Sequence, residues 1–351
     1  MDETCPSCHK RIDAPWYKER LFIITIFTIV LLIISYYIKI LNPFYIAFID
    51  YLILIWWAIF IGFLIGGIID YFIPREYIEK YLSRHRKRTI IYSIVFGFLM
   101  SACSHGILAI AIELYKKGAN TSSVIAFLLA SPWANLPITV LLFGFFELKA
   151  IFIIISAIVI ATITGLIYQV LERKGLVECR HCKMGEDIPV LTDFSIIKDI
   201  KKRVKEYNFT AKNLKNAFVG TFKGSWSLTK MVLWWLIIGM IMASVARVLA
   251  EQYHELFITY MGPSIVGLLV TLFFATIIEV CSEGSSPLAF EIFNQTKAFG
   301  NSFTFLMAGV ATDYTEIGLI WQNIGKKAAL WLPIITVPQI LILGYIFNIF
   351  L

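Results

Sequence analysis

Two tetrapeptides in otherwise apolar runs carry groups that could do chemistry: Cys103-Ser104-His105-Gly106 and Cys281-Ser282-Glu283-Gly284. Each sets a thiol and a hydroxyl beside a titratable side chain, and each closes on a glycine that permits a backbone turn. Two thiols at one constriction would suit a soft, thiophilic solute such as trivalent arsenic or a sulfur compound. The plainer alternative is close helix packing, with each cysteine a small apolar filler. His105 titrates near neutral pH, so it could couple proton movement. Ser131, Asn135, Asp313 and Glu316 lie in neighbouring apolar runs. A charged group inside a span ordinarily serves a pathway, a proton relay or a partner charge. Glu113 and Glu291 either join such a pathway or reach out to the membrane interface from the ends of their runs.

The other four cysteines form Cys5-Pro6-Ser7-Cys8 and Cys179-Arg180-His181-Cys182. Two CxxC pairs supply the ligand set of a structural tetrahedral zinc site, so Cys5, Cys8, Cys179 and Cys182 are its expected ligands. Redox-active pairs and inert or separately metallated pairs are the alternatives. A disulfide framework is not expected if these segments face a reducing cytoplasm.

The elements that must position these groups are duplicated. The two cysteine motifs are 281 − 103 = 178 positions apart, and the same offset pairs Trp56-Trp57 with Trp234-Trp235, Glu113 with Glu291, Phe127-Leu128 with Phe305-Leu306, and Asn135 with Asp313. A duplicated apolar unit with one polar break per copy is the mark of a secondary transporter whose site lies between its repeats. Of 351 residues, 58% are hydrophobic and 16% charged, and the mean hydropathy is +0.76; that composition belongs in lipid. The net charge of +7 is gathered into a few segments, which in a membrane protein report orientation. No basic stripe interleaved with stacking aromatics lies outside the apolar runs, so nucleic acid is not an expected partner.

The expected fold is an all-α polytopic membrane protein: two inverted repeats, each with about three transmembrane helices plus a re-entrant or broken helix, and one extra N-terminal helix. The expected units are a cytoplasmic CxxC segment at 1–20, the extra helix at 21–41, repeat one at 46–171, a basic cytoplasmic linker with an amphipathic helix at 172–225, and repeat two at 226–350. The positive-inside rule puts 1–20, 73–88 and 172–225 on one face, which requires an odd number of crossings per repeat. A re-entrant hairpin over 89–114, broken near Cys103, satisfies it. Nine ordinary helices in parallel repeats, or a hairpin over 121–145 turning at Pro132 and Pro137, are the rival arrangements.

With these motifs in hand, the chain resembles the family of predicted permeases that includes bacterial organoarsenical efflux permeases. The resemblance spans nearly all of 46–350 and rests on Cys103-Ser104-His105-Gly106, on the stretch Ala126 to Pro137, and on the surroundings of Cys281 and Pro287. Where many members carry a second cysteine in the first break, this chain has His105. The resemblance implies an inner-membrane permease, and in characterised members the export of trivalent arsenicals.

The expected function is therefore that of a permease, not an enzyme, in the cell membrane, multi-pass, with a cytoplasmic N-terminus. It would export a soft solute such as a trivalent organoarsenical past paired Cys103 and Cys281, in contact with lipid, a metalloid or other small-molecule substrate, and protons. No nucleotide-binding loop of the GxxxxGK[ST] type is present, so a gradient or a partner subunit would drive it. A membrane thiol oxidoreductase using the CxxC pairs, or a zinc-stabilised scaffold, are the other readings.

Overall fold

The computed structural model describes residues 19–72, 88–99, 104–116, 119–178, 211–278 and 282–351. These form α1 (Arg20–Tyr37), α2 (Asn42–Phe72), α3 (Arg88–Leu99), α4 (Ser104–Lys116), α5 (Thr121–Ala134), α6 (Leu136–Phe146), α7 (Ala150–Arg173), α8 (Ala211–Gln252), α9 (His254–Met261), α10 (Ile265–Ile278), α11 (Ser282–Thr296), α12 (Phe299–Thr312), α13 (Tyr314–Asn323) and α14 (Lys326–Phe350). An all-helical answer follows from the composition, because in hydrocarbon each backbone N–H and C=O must be bonded within its own segment. Within the described residues, five helical stretches are long and apolar enough to cross a membrane alone, α1, α2 and α14 among them.

The duplication is visible in the helix boundaries. α12 is α5 moved by 299 − 121 = 178 residues, its end follows at 312 − 134 = 178, and α13 begins 314 − 136 = 178 after α6. Equivalent helices run antiparallel across the molecule. Near the start of α2, Asp50 accepts a bond from Arg247 near the end of α8, at 3.0 Å. Near the end of α2, Gly67 lies against Ser225 and Thr221 near the start of α8. α7 and α14 repeat the pattern: Lys149 Nζ donates to the Leu351 carbonyl at 2.9 Å, and the Tyr168 hydroxyl to the Ala328 carbonyl at 2.6 Å. Antiparallel equivalents require a twofold axis lying across the helices, so the two repeats are inverted.

Contacts near the helix ends fix two faces. On the first, Ile90 at the start of α3 sits beside Gly165 of α7, and the Thr121 hydroxyl donates to the Glu178 carbonyl at 2.7 Å. The backbone N–H groups of Lys327 and Ala328 donate to the Glu178 carboxylate, both at 3.0 Å. Burial alone would raise the pKa of Glu178, but these donors and the Lys327 charge outweigh it and hold the carboxyl below its ordinary range. On the second face, Asn348 accepts from the Gly300 N–H at 2.8 Å and donates to Asn301, which bonds the Met261 carbonyl.

α3 begins on the first face, and α4 ends there, where the Tyr115 hydroxyl donates to the Ile324 carbonyl at 3.4 Å just before α14, so the two described ends of 88–116 lie on the same side. α10 and α11 do the same from the second face, where α9 meets α10 at 98°. Among the described residues, both half-helices of each re-entrant segment pack on one broken crossing, on α5 in the first repeat and on α12 in the second. α5 with α6, and α12 with α13, are by contrast crossings broken in the middle. Each repeat thus crosses three times.

α1 stands outside the duplication. It packs on α8 and α2, is anchored by Glu19 to Lys230 at 2.6 Å, and leaves Ile23, Phe27 and Ile33 about half exposed, as a lipid-facing helix must.

Candidate functional site

The broken crossings meet near the middle of the molecule because the sequence ends one helix and starts another there. Asn135 leaves the helical region (ψ 152°), and its Oδ1 accepts the Ile138 N–H at 2.9 Å. Pro137 follows in the first turn, where its missing N–H leaves no helical bond unmade. Asp313 does the same for α13, its Oδ1 accepting the Glu316 N–H at 2.8 Å. The two residues sit at equivalent positions with the same local role, one neutral and one acidic. Ser131 is buried one turn before Asn135, bonding the Phe127 carbonyl at 2.7 Å and lending its own carbonyl to Asn135 Nδ2 at 2.8 Å.

The first turn of α11 lies between two small cavities. One, of about 20 Å³, is lined by Ala58 and Gly62 of α2, Asn135 and Pro137 of α6, Leu236 of α8, and Glu283. The other, of about 10 Å³, is lined by Trp133, Ser282, Ser285, Gly309, Asp313 and Glu316. Glu283 and Glu316 are almost fully buried, as are Ser282 and Ser285. A single water needs roughly 10–15 Å³ of such space, so each cavity admits about one. Anything larger requires the helices around it to part. Pro287, one turn along α11, has no N–H to offer the Glu283 carbonyl, which adds an acceptor at this point. Among the described residues, the buried Trp133 indole N–H has no hydrogen-bond partner. Such an orphan costs about 1–3 kcal/mol.

Close packing holds this turn in place. Gly239 of α8 meets the backbone of Gly284, and a Cβ at 239 would lie 2.6 Å from the Gly284 Cα. Gly284 therefore serves close approach of two helices, the plainer of the readings open for the glycine motif.

The structure thus brings together Ser131, Asn135, Ser282, Glu283, Gly284, Asp313 and Glu316 from three parts of the chain. Ser104, His105 and Gly106 form the first turn of α4, equivalent to Ser282–Gly284. The thiol expectation is corrected. Cys5, Cys8, Cys103, Cys179, Cys182 and Cys281 lie outside the described residues, and among the described residues no group of three or more His, Cys, Asp or Glu could hold a metal. The described structure gives neither a paired-cysteine pathway for a thiophilic solute nor a zinc site. The centre is built from hydroxyl, amide and carboxylate oxygens, which are hard donors. The thiol-oxidoreductase and zinc-scaffold readings depend on the same sulfurs and have no described residue behind them.

Sequence reasoning did not select Trp133, Ser285, Gly62 or Gly239 for the site. Trp133 stands in the motif Ser131 to Asn135 and was the one with a signal, a large polar-tipped ring between two prolines. Glu291 is also placed differently from the reading that took it to the interface: it is fully buried.

Comparison with known proteins agrees with this architecture. Residues 40–349 match the family described as predicted permease. The UPF0718 protein MJ0584 of Methanocaldococcus jannaschii is 24% identical over 344 residues, covering 84% of this chain and 92% of that one. The UPF0718 protein YcgR of Bacillus subtilis is 32% identical over 77 residues, 22% of this chain and 26% of that one. No solved structure matches the chain. Its inverted helical repeats, its long apolar helices and a match over nearly its whole length lead to one conclusion: this multi-pass membrane chain belongs to the predicted-permease family.

Proposed function

We propose that the chain is a secondary permease that carries a small, hydrogen-bonding solute through the polar centre between its repeats, coupled to protons. One observation carries this reading: the two N-capped helix breaks, at Asn135 and Asp313, converge on the buried first turn of α11 with Glu283 and Glu316 beside it. Helix ends in mid-membrane hold backbone groups that a solute can bind. Ser131, Asn135, Ser282, Asp313 and the Trp133 N–H supply donors and acceptors, while Glu283 and Glu316 supply proton sites. The first turn of α4, with His105 in place of Glu283, is the counterpart across the twofold axis. The small size of the cavities fits a state between openings, with access alternating as one repeat rocks against the other. The first face carries Arg88, Lys116, Arg173, Lys174, Lys326 and Lys327, which supports assigning it to the cytoplasm, together with the N-terminus.

The test uses full-length protein in proteoliposomes loaded with a pH-sensitive dye, under an inward proton gradient, against a panel of small hydrogen-bonding solutes. At least one solute is expected to drive luminal acidification. Glu283→Gln and Asp313→Asn should cut that rate at least tenfold, and Trp133→Phe should weaken the apparent solute affinity. No solute-dependent flux, or equal flux in the carboxylate variants, would refute the reading.

A further inference from the structure

Glu291, in the second half of α11, takes no part in the centre described above. It lies 291 − 283 = 8 residues beyond Glu283, about 12 Å along the helix, toward the second face. It is fully buried, yet both carboxyl oxygens have donors from side chains. The Tyr51 hydroxyl of α2 donates to Oε2, and Gln295 Nε2 donates to Oε1 at 2.6 Å. Tyr51 is itself buried, with its ring edge-on to Phe290. α6 covers this part of α11 with Phe145 and Phe146, and on the α12 side the Ser302 hydroxyl is bonded to the Ala289 carbonyl.

The charged groups that bear on Glu291 are Arg247 and Glu251 of α8, with Asp50 next to Tyr51 on α2; Lys149 lies over the Phe293 ring. Arg247 bonds Asp50 at 3.0 Å and Glu251 at 3.3 Å, and both acids are about half exposed. Arg247 and its two acids, on the second face, therefore act through their charges on a carboxyl buried under phenylalanines. Among the described residues this arrangement occurs once. The equivalent of Tyr51 is Thr229 (229 − 51 = 178), whose hydroxyl bonds its own helix at Ser225.

Resting on the permease reading, we propose that Glu291 is a proton-binding site open toward the second face, whose occupancy latches or releases α11 of the second re-entrant segment against α2. A carboxylate accepting the Tyr51 O–H forms a charge-assisted bond, about twice as strong as a neutral one. When a proton arrives the carboxyl becomes neutral, one oxygen turns donor toward Tyr51 or Gln295, and the Tyr51 bond either loses its charge assistance or reverses. The tie between α2 and α11 weakens, and the turn bearing Glu283 is free to move. This places proton entry on a different surface from the basic first face.

Infrared difference spectra between pH 5 and pH 9, taken on full-length protein in lipid, test the proposal. The native chain should show a carboxyl band with an accompanying helix-reorientation change in the amide I region. Glu291→Gln should lose both. Tyr51→Phe, which keeps the acid and is the gentler variant, should retain the carboxyl band at higher wavenumber and lose the amide I change. A native spectrum without a titrating carboxyl, a band that survives Glu291→Gln, or an amide I change that survives both variants would overturn it. Glu283→Gln separates the two readings: full solute flux in that variant refutes the central site, while the Glu291 band reports on the latch alone.

Discussion

Gly239→Ala adds one methyl group at the point where α8 and α11 touch. The new carbon would lie 2.6 Å from the Gly284 Cα and 2.7 Å from its carbonyl carbon, with the carbonyl oxygen nearer still, whereas ordinary contact begins at 3.4 Å. The helices must therefore part by at least 3.4 − 2.6 = 0.8 Å. Both sides of the contact are backbone, so no rotamer change relieves it. Overpacking of this kind costs about 1–3 kcal/mol, and with rigid helices on both sides the upper end applies. Alanine's better helix propensity returns at most about 1 kcal/mol. Gly318→Ala in α13 is the control, because nothing lies within 4 Å of its added carbon; there the propensity gain stands alone, about 0.5–1 kcal/mol. Thermal unfolding of the purified full-length variants in detergent should show Gly239→Ala lowered by several degrees and Gly318→Ala level or raised. Solute flux should fall with Gly239→Ala, since the displaced residue adjoins Glu283. Equal shifts for the two variants would show that the glycine contact does not hold the centre together.

Asn135→Ala removes the cap of α6 and strands the buried Ile138 N–H, at a cost of about 1 kcal/mol or more, whereas Asn135→Ser, which keeps an oxygen to accept that N–H, should lose less; melting curves of the two variants decide. Glu178 has a folded-state pKa below its unfolded value near 4.3. Its contribution is therefore present above that unfolded value and is lost as pH falls through the lower folded one. Glu178→Gln should melt below the native chain at pH 7, with the gap closing as pH falls through the lowered folded-state value; a gap unchanged with pH would sink the assignment.

The inverted architecture was legible because the two copies kept one offset without a gap, and because basic residues gather at 73–88 and 172–225. Those charges forced an odd number of crossings per repeat. The re-entrant segment over 89–114 followed from the same argument, and Ile90 beside Gly165 with Tyr115 bonded to the Ile324 carbonyl puts both its ends on the first face. The capping roles of Asn135 and Asp313 were less visible, since a polar residue in an apolar run reads equally as a ligand. The cysteine pair drew attention for its chemistry, whereas the described centre is made of commoner groups: serines, an amide and carboxylates. Glu291 with Tyr51, and Gly239 with Gly284, are contacts across long separations in the chain. Spacing along one helix names neither partner, which is why the sequence left Glu291 open between a pathway and the interface.

Two copies set head to tail carry a second shape within the first. If each half adopts the geometry now held by the other, the pair of water-sized voids is delivered to the opposite membrane surface with no new fold and no long excursion. The exchange is not energetically level, because one half turns on an amide at Asn135 and the other on an acid at Asp313.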